Sequence, residues 1–320
     1  MKADYKAKKF VRHIYGRKLF GNKTLEFSQS ELMHSAIMVG KDSILNYTAL
    51  GITGELEICY RIIFLFSLLQ NNSCDRLTKS VNYKTTFDPT EKAFASYYLG
   101  NIFTKLVSTK LLNINQLLHY DLYKSMINTK SIGNRRPDFI GKNNRNEWVL
   151  AESKGRSNAY DDQATISGKE QLVGIYSINN IKPSLRYVVQ TYFERDVLKL
   201  HIEDPEGNKE FNRIFIDEIL FEKTYYSLVL KVLSENLYKL KLINFKSIDY
   251  YYYQIEDIDI GIGLKKDIYD KYAKIKTEEE IMIKLVSDNN VNFFKEMDYF
   301  IGNDGVLIVC KDKRKINELK

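Results

Sequence analysis

Cysteine is scarce in this 320-residue chain, and the three it has, Cys59, Cys74 and Cys310, are odd in number and widely separated. That pattern fits neither a disulfide framework nor a zinc spacing, and it predicts a reducing, cytoplasmic setting. Histidine is equally thin: His13, His34, His119 and His201 stand alone. With no His-x-x-x-His pair and no Cys–His cluster, zinc hydrolysis and Cys–His catalysis lose their support, and each lone histidine reads as structural. Long apolar runs are also missing. Ile62-Ile-Phe-Leu-Phe-Ser-Leu-Leu69 is strongly apolar but too short to span a bilayer, so it predicts a buried helix and no membrane partner. No phosphate-binding loop occurs, which removes ATP hydrolysis through that motif. The first residues have no apolar core followed by a small-residue cleavage site, so a targeting peptide is not expected.

What is present is ordinary for a globular protein: 44% hydrophobic and 28% charged residues, in a chain long enough for a sizeable core and for one elaborated domain or two. The net charge of +7 favours a polyanionic partner. Lys, Asn, Ile and Tyr are abundant throughout, however, and base composition alone produces that bias. The first 23 residues concentrate the charge, with Lys2, Lys6, Lys8, Lys9, Arg12, Arg17, Lys18 and Lys23 against Asp4, and Tyr5, Phe10, Tyr15 and Phe20 between them. Such a segment suits phosphates, and it equally suits a solvated amphipathic start whose aromatic rings dock on the core.

Chemistry concentrates in Arg136-Pro137-Asp138-Phe139 and in Trp148-Val-Leu-Ala-Glu152-Ser153-Lys154-Gly155. Trp148 to Ala151 is apolar at every position, as a central strand covered on both faces must be, and polar residues enter only where it ends. Residues two apart in a strand share a face, so Glu152 and Lys154 point together and Ser153 points away. Gly141-Lys-Asn-Asn-Arg-Asn146 is rich in turn formers and predicts an antiparallel hairpin that carries Asp138 towards Glu152. Two carboxylates beside an ammonium at a strand end are tolerable when a divalent cation neutralises the acids. The plainer alternative is a turn cap at Asp138 and a surface ion pair between Glu152 and Lys154.

Pro137-Asp138 followed fourteen positions later by Glu152-Ser153-Lys154 resembles the PD-(D/E)XK, or restriction-endonuclease-like, nuclease superfamily. The resemblance covers about twenty residues directly, and it implies an α/β fold whose mixed central sheet is flanked by helices. It implies Asp138 and Glu152 as ligands of Mg²⁺, with Mn²⁺ as a substitute, and Lys154 as the catalytic lysine. Such nucleases often place a Gln or Lys on the following helix, here expected from about Tyr160 to Ile178, and Gln171 is the candidate. A further acid is often supplied by a preceding helix; Glu91, just after Pro89, is the nearest candidate for the metal and Glu55 its rival. Glu91 equally suits the positive end of its helix. Arg136, Arg156 and Lys169 are the cations expected to meet nucleic acid beside the site.

Along the chain, residues 1–85 are expected to form a mainly helical accessory layer, including a helix from Ile44 to Gln70. Residues 86–205 form the nuclease core, with strands at Leu185–Tyr192 and Leu198–Glu203 and a turn at Asp204–Gly207. Residues 206–320 form an α/β extension, with a helix over 211–243, a strand at Tyr250–Gln254, a helix over Thr277–Asp288 and a last strand at Gly305–Cys310. The tyrosine run suits base stacking, although β-propensity and packing account for it as well. The expectation is a cytoplasmic Mg²⁺-dependent endonuclease acting on DNA, in restriction or antiviral defence by analogy with the family. A silent nucleic-acid-binding subunit of the same fold and a nuclease acting on RNA remain as alternatives, and so do a homo-oligomer and a partner subunit.

Overall fold

A strand that is apolar on both faces has to be covered on both, and Trp148-Val-Leu-Ala begins a strand whose first six residues are all buried. The structure, a computed structural model, describes residues 1–11, 15–39, 54–123, 136–204, 212–273, 284–285 and 297–311. Contacts divide the chain into two units: Met1–Phe27, Met38–Asp42 and Ile63–Glu222 form the first, and Ser28–Ile37, Ser43–Ile62 and Lys223–Lys320 the second.

The first unit is built on a nine-stranded mixed sheet. Its main path runs β2 (Gly21–Glu26), β1 (Lys2–Lys8), β10 (Val197–Glu203), β9 (Leu185–Glu194), β7 (Trp148–Gly155), β6 (Phe139–Asn143) and β5 (Ile114–His119). A hairpin of β3 (Leu69–Asn71) and β4 (Leu77–Lys79) joins through β4 against β10. The β1–β10 and β7–β9 pairs are parallel and the remaining ones antiparallel. Two helices flank β7. The first, α1 (Pro89–Leu112), begins in a capping box in which Asp88 accepts the Glu91 N–H and Glu91 accepts the Asp88 N–H, with Pro89 in its first turn. The second, α2 (Asp162–Leu172), lies on the opposite face. Under it, Leu150, Ile140, Trp148, Leu172, Ile175 and Phe221 form one apolar cluster. Truncating Leu150, which is fully buried, would cost about 2–5 kcal/mol.

The N-terminal region departs from the expected helical layer. Residues 2–8 and 21–26 are strands of the central sheet, and their sequence carried the sign: in Lys-Ala-Asp-Tyr-Lys-Ala-Lys, Ala3, Tyr5 and Ala7 are buried and alternate with charge. Of the helix expected over Ile44–Gln70, residues 44–53 lie outside the described residues and Gly54–Leu68 is helical. The apolar stretch within it is not buried throughout, since Ile63 is 59% exposed.

The helix after the motif is shorter than expected. It stops at Leu172 because Gly174 breaks it, and β8 (Ile175–Ile178) follows, paired with β11 (Asn212–Ile214). The hairpin is as predicted, with β6 and β7 antiparallel and Asn146 at φ 63° in the turn. The Asp204–Gly207 turn lies outside the described residues beyond Asp204.

The second unit has its own six-stranded sheet, ordered β15 (Lys284–Leu285), β12 (Lys241–Phe245), β13 (Ile248–Ile255), β14 (Ile260–Lys265), β17 (Val306–Lys311), β16 (Met297–Ile301). The expected 211–243 helix is instead β11, a helix at Glu218–Glu235, a short 3-10 turn and the start of β12. Most of the Thr277–Asp288 helix falls outside the described residues, and the two residues described, Lys284 and Leu285, pair with β12 as a strand. Tyr250 to Tyr253 in β13 are all at most 5% exposed. Rings so covered pack the sheet and have no face left for a base.

Candidate functional site

The β6–β7 register creates the site. Phe139 pairs with Ala151, so Asp138, one residue before β6, falls opposite Glu152. Each acid is then anchored by a backbone N–H of the other strand. The Asp138 N–H donates to Glu152 Oε2 at 2.9 Å, and the Ser153 N–H donates to Asp138 Oδ2 at 3.0 Å. Lys154 shares the Glu152 face, and its ammonium donates to Glu152 Oε1 and to Gln171 Oε1, each at 2.6 Å.

Gln171 reaches this point because α2 lies unusually close. A Cβ at Gly168 would stand 3.1 Å from Glu152 Cγ and from a Val188 methyl, so the glycine lets the helix press on the strand end. Asp161 caps that helix by accepting the Gln163 and Ala164 N–H groups. Gln190 fixes Asp161 in turn, accepting its N–H at 2.8 Å and donating to its carbonyl at 2.7 Å. Gly155 does the same on the other face: a Cβ there would meet the Ser96 carbonyl oxygen of α1 at 1.8 Å.

Glu152 is completely buried, while the Lys154 side chain is 21% exposed. A surface ion pair would leave both groups solvated, and this one does not. Burial, and then the neighbouring charge of Asp138, push the Glu152 carboxyl up to about 8 against the opposing pull of Lys154 and the Asp138 N–H. Two carboxylates thus stand together in a poorly solvated place with an ammonium on only one of them, which is an arrangement that an added cation relieves.

Among the described residues no group of three or more His, Cys, Asp or Glu side chains stands close enough to enclose a metal. Two carboxylates suit Mg²⁺, which keeps several waters and takes oxygen from substrate phosphate. The donor set therefore fits that ion. It fits a caged transition metal poorly.

The other expected residues have different partners. Glu91 closes the capping box of α1 and joins no acid cluster among the described residues, so the helix end claims it. Glu55 belongs to the second unit, where it accepts the Tyr253 hydroxyl at 3.0 Å. Lys169 turns to Glu203, away from the Asp138–Glu152 pair, and Glu203 also faces His201 at 3.0 Å and Lys9 at 3.4 Å. Burial alone would raise the Glu203 carboxyl, but hydrogen bonds from Lys169 and His201 hold it down to about 2. Arg136 pairs with Asp121 at 3.2 Å while its carbonyl faces the Gln171 amide at 3.5 Å, and Arg156 pairs with Asp161 at 2.9 Å. Sequence reasoning did not bring together Tyr97 of α1 and His119 of β5, whose Oη and Nε2 lie 3.0 Å apart. Nothing in their spacing signals a site.

Comparison with protein-family models, with curated proteins and with solved structures finds no match to this chain. The site is therefore read from its own geometry and chemistry.

Proposed function

We propose that the chain is a metal-dependent nuclease of the restriction-endonuclease-like kind, hydrolysing phosphodiester bonds in DNA. The observation that carries this reading is the convergence of Asp138, buried Glu152 and Lys154 on one strand end, with Gln171 holding the lysine. The mixed sheet with helices on both faces suits such a core. A divalent cation held by Asp138 and Glu152 would polarise a phosphoryl oxygen and lower the pKa of bound water.

The chain's own groups do the rest. Asp138 and Glu152 present carboxylates that the Ser153 and Asp138 N–H groups hold in place. Gln171 and Glu152 fix the Lys154 ammonium, which sets it to orient the attacking water or to donate to the charge that develops on phosphorus. Lys154 is the cation paired with Glu152, whereas Arg136, Arg156 and Lys169 pair with Asp121, Asp161 and Glu203.

The test incubates purified protein with Mg²⁺, Mn²⁺ or Ca²⁺ and with circular, linear and single-stranded DNA and RNA. Cleavage is expected with Mg²⁺ and Mn²⁺, lost in EDTA, with Ca²⁺ supporting binding better than cleavage. Asp138→Ala and Glu152→Ala should lose both metal binding and cleavage. Lys154→Ala should keep metal binding by calorimetry and lose about a hundredfold or more in rate, or roughly 3 kcal/mol of transition-state stabilisation. Cleavage in EDTA, or a wild-type rate for Lys154→Ala, would sink the assignment.

A further inference from the structure

We propose that the first unit holds a nucleotide in a cavity at the start of β7, with Arg17, Lys18 and Arg145 taking its phosphate and an apolar floor taking its base. The inference does not use the nuclease reading. Val149 at the floor precedes Glu152 by three residues, or about 10 Å along the strand, and none of Asp138, Glu152 and Lys154 lines the cavity.

The cavity has a volume of about 600 Å³, within the span of roughly 300–1,000 Å³ usual for small-molecule sites. Three pieces of chain wall it, and each is fixed. The 3-10 turn Gly16–Leu19 is pinned by Leu19, which is buried, and by the Tyr5 hydroxyl, which donates to the Lys18 carbonyl at 2.6 Å. Tyr15, just before that turn, sets its ring edge-on to Phe10 at 5.5 Å. Opposite stands the β6–β7 turn, where Asn143 Oδ1 accepts the Arg145 N–H at 2.9 Å and the Glu147 N–H at 3.0 Å. The third wall is the end of α1, capped by Asn113 at φ 54° and tied to the hairpin by the Asn144 N–H, which donates to the Asn113 carbonyl at 3.0 Å. Ile114, Val149 and Leu185, where β5, β7 and β9 begin, form the floor.

Charge at the rim exceeds what the fold uses. Arg17, Lys18 and Arg145 are exposed, and none makes an ion pair among the described residues. Glu147 is the acid of the lining, and the Asn143 amide already donates to its Oε2 at 2.7 Å. The plainer account is that the three cations complement the negative end of α1. That end carries only about half a charge, so with Glu147 it leaves roughly one and a half positive charges unanswered. Burial, and then Asp204 and Glu147, hold the Tyr15 phenol above its usual range against Arg145, so the ring stays neutral at physiological pH.

These features select one class of ligand. An arginine fork matches phosphate oxygens in pairs, and two arginines with a lysine suit a group carrying close to two negative charges. The floor suits a flat ring rather than a bare anion. Asn113 and Asn144 add side-chain amides that have no partner among the described residues, and amides can pair with the donors and acceptors of a base or sugar. An aliphatic acid would leave them unused.

The experiment uses full-length protein in EDTA, so that no cation bridges a phosphate to Asp138 or Glu152. AMP, GMP, CMP and UMP are titrated by calorimetry, with adenosine and inorganic phosphate as the separate halves, and melting temperature is followed in parallel. One nucleotide per chain is expected to bind and to raise the melting temperature, with either half weaker by on the order of tenfold or more. Arg17→Gln combined with Arg145→Gln should keep the ligand-free melting temperature, since both residues are exposed, and should lose about tenfold or more in affinity. Lys6→Gln, which removes an exposed cation outside the cavity, should bind as wild type does. The inference fails if none of the four nucleotides binds, or if the double variant binds them like wild type. It fails equally if inorganic phosphate binds as tightly as a nucleotide, which would mark a bare anion patch. A single-stranded oligonucleotide that binds tighter than every mononucleotide, and loses the same factor in the double variant, would make the cavity part of a nucleic-acid path and overturn the inference too. No arm reads cleavage, so each of these failures leaves the assignment of Asp138, Glu152 and Lys154 standing.

Discussion

Glu152 in the first unit and Asp304 in the second are both buried acids, at 0% and 4% exposure, and their surroundings differ in kind. Asp304 meets donors. Tyr225 donates to Oδ2 at 2.5 Å, His34 Nε2 lies 3.1 Å away, the Val306 N–H reaches Oδ1 at 3.2 Å, and Tyr226 donates to the Asp304 carbonyl at 2.7 Å. Glu152 meets an ammonium and a backbone N–H, and also a second acid whose charge opposes its own. A buried carboxylate surrounded by donors is a cross-link between elements. One placed against another carboxylate carries an electrostatic cost that folding alone does not need, and such costs concentrate where chemistry or ion binding uses them.

The largest effect separating the two should come from truncating the satisfied acid. Asp304→Ala leaves the His34 and Tyr225 side chains buried without their acceptor, and it should destabilise the protein by about 3 kcal/mol or more. The check is the shift of the urea midpoint, read with tyrosine fluorescence. Cleavage under native conditions should stay near wild type. An unchanged midpoint would mean that this cluster is no cross-link, and the contrast with Glu152 would collapse.

A smaller effect of opposite sign is expected at Glu152. Its folded carboxyl titrates at about 8, above the value near 4.5 of an unperturbed glutamate, so the folded protein binds the proton more tightly than the unfolded chain. Stability from this group is therefore complete below about pH 4.5, declines as pH rises through 8, and is flat beyond. Glu152→Gln removes the decline. In EDTA the variant should match wild type near pH 4.5 and exceed it by on the order of 1–2 kcal/mol at pH 8–9, once partial relaxation is allowed for. Added Mg²⁺ should raise the wild-type melting temperature and leave the variant unmoved. Glu152→Gln melting below wild type at pH 9 in EDTA would show that the acid is structurally satisfied after all.

The same contrast explains what the sequence made legible. The hairpin and the two-residue spacing of Glu152 and Lys154 follow from turn composition and strand periodicity, whereas Gln171 was expected only from the family resemblance; the structure has each of them. Asp304 was invisible because its partners come from 270 positions earlier, at His34, and from 79 positions earlier, at Tyr225. Glu91 misled because an acid in the first turn of a helix suits a cap and a metal equally, and only the geometry of Asp88 decides between them. Lys169 misled for a similar reason. It lies on the correct helix, and its partner Glu203 comes from β10, which no spacing along the chain connects to it. The N-terminal strands were hidden by charge, since a run of lysines drew the reading away from the alternation of Ala3, Tyr5 and Ala7 beneath it.

Those strands supply the smallest and last prediction, which extends the comparison to exposed charge. Across the sheet, Glu152 aligns with Val188, Glu203 and Lys8, and Lys154 aligns with Gln190, His201 and Lys6. Aligned residues share a face, so Lys6 and Lys8 stand on the same side of the sheet as Glu152 and Lys154. Both are exposed, and neither makes an ion pair among the described residues, unlike Arg136, Arg156 and Lys169. If a bound polyanion crosses this face, Lys6→Gln and Lys8→Gln should each weaken Ca²⁺-supported DNA binding by a similar factor for all sequences. Each should also flatten the slope of log affinity against log salt by about 0.9, because one phosphate contact fewer releases its counterion. Point changes are the proper test, because deleting the first 23 residues would strip β1 and part of β2 from the sheet and change folding together with binding. Turnover at saturating DNA should not change, since neither lysine touches the acids. A salt slope identical to wild type in the double variant would remove this face from the binding path and leave the basic start of the chain a solvated sheet edge.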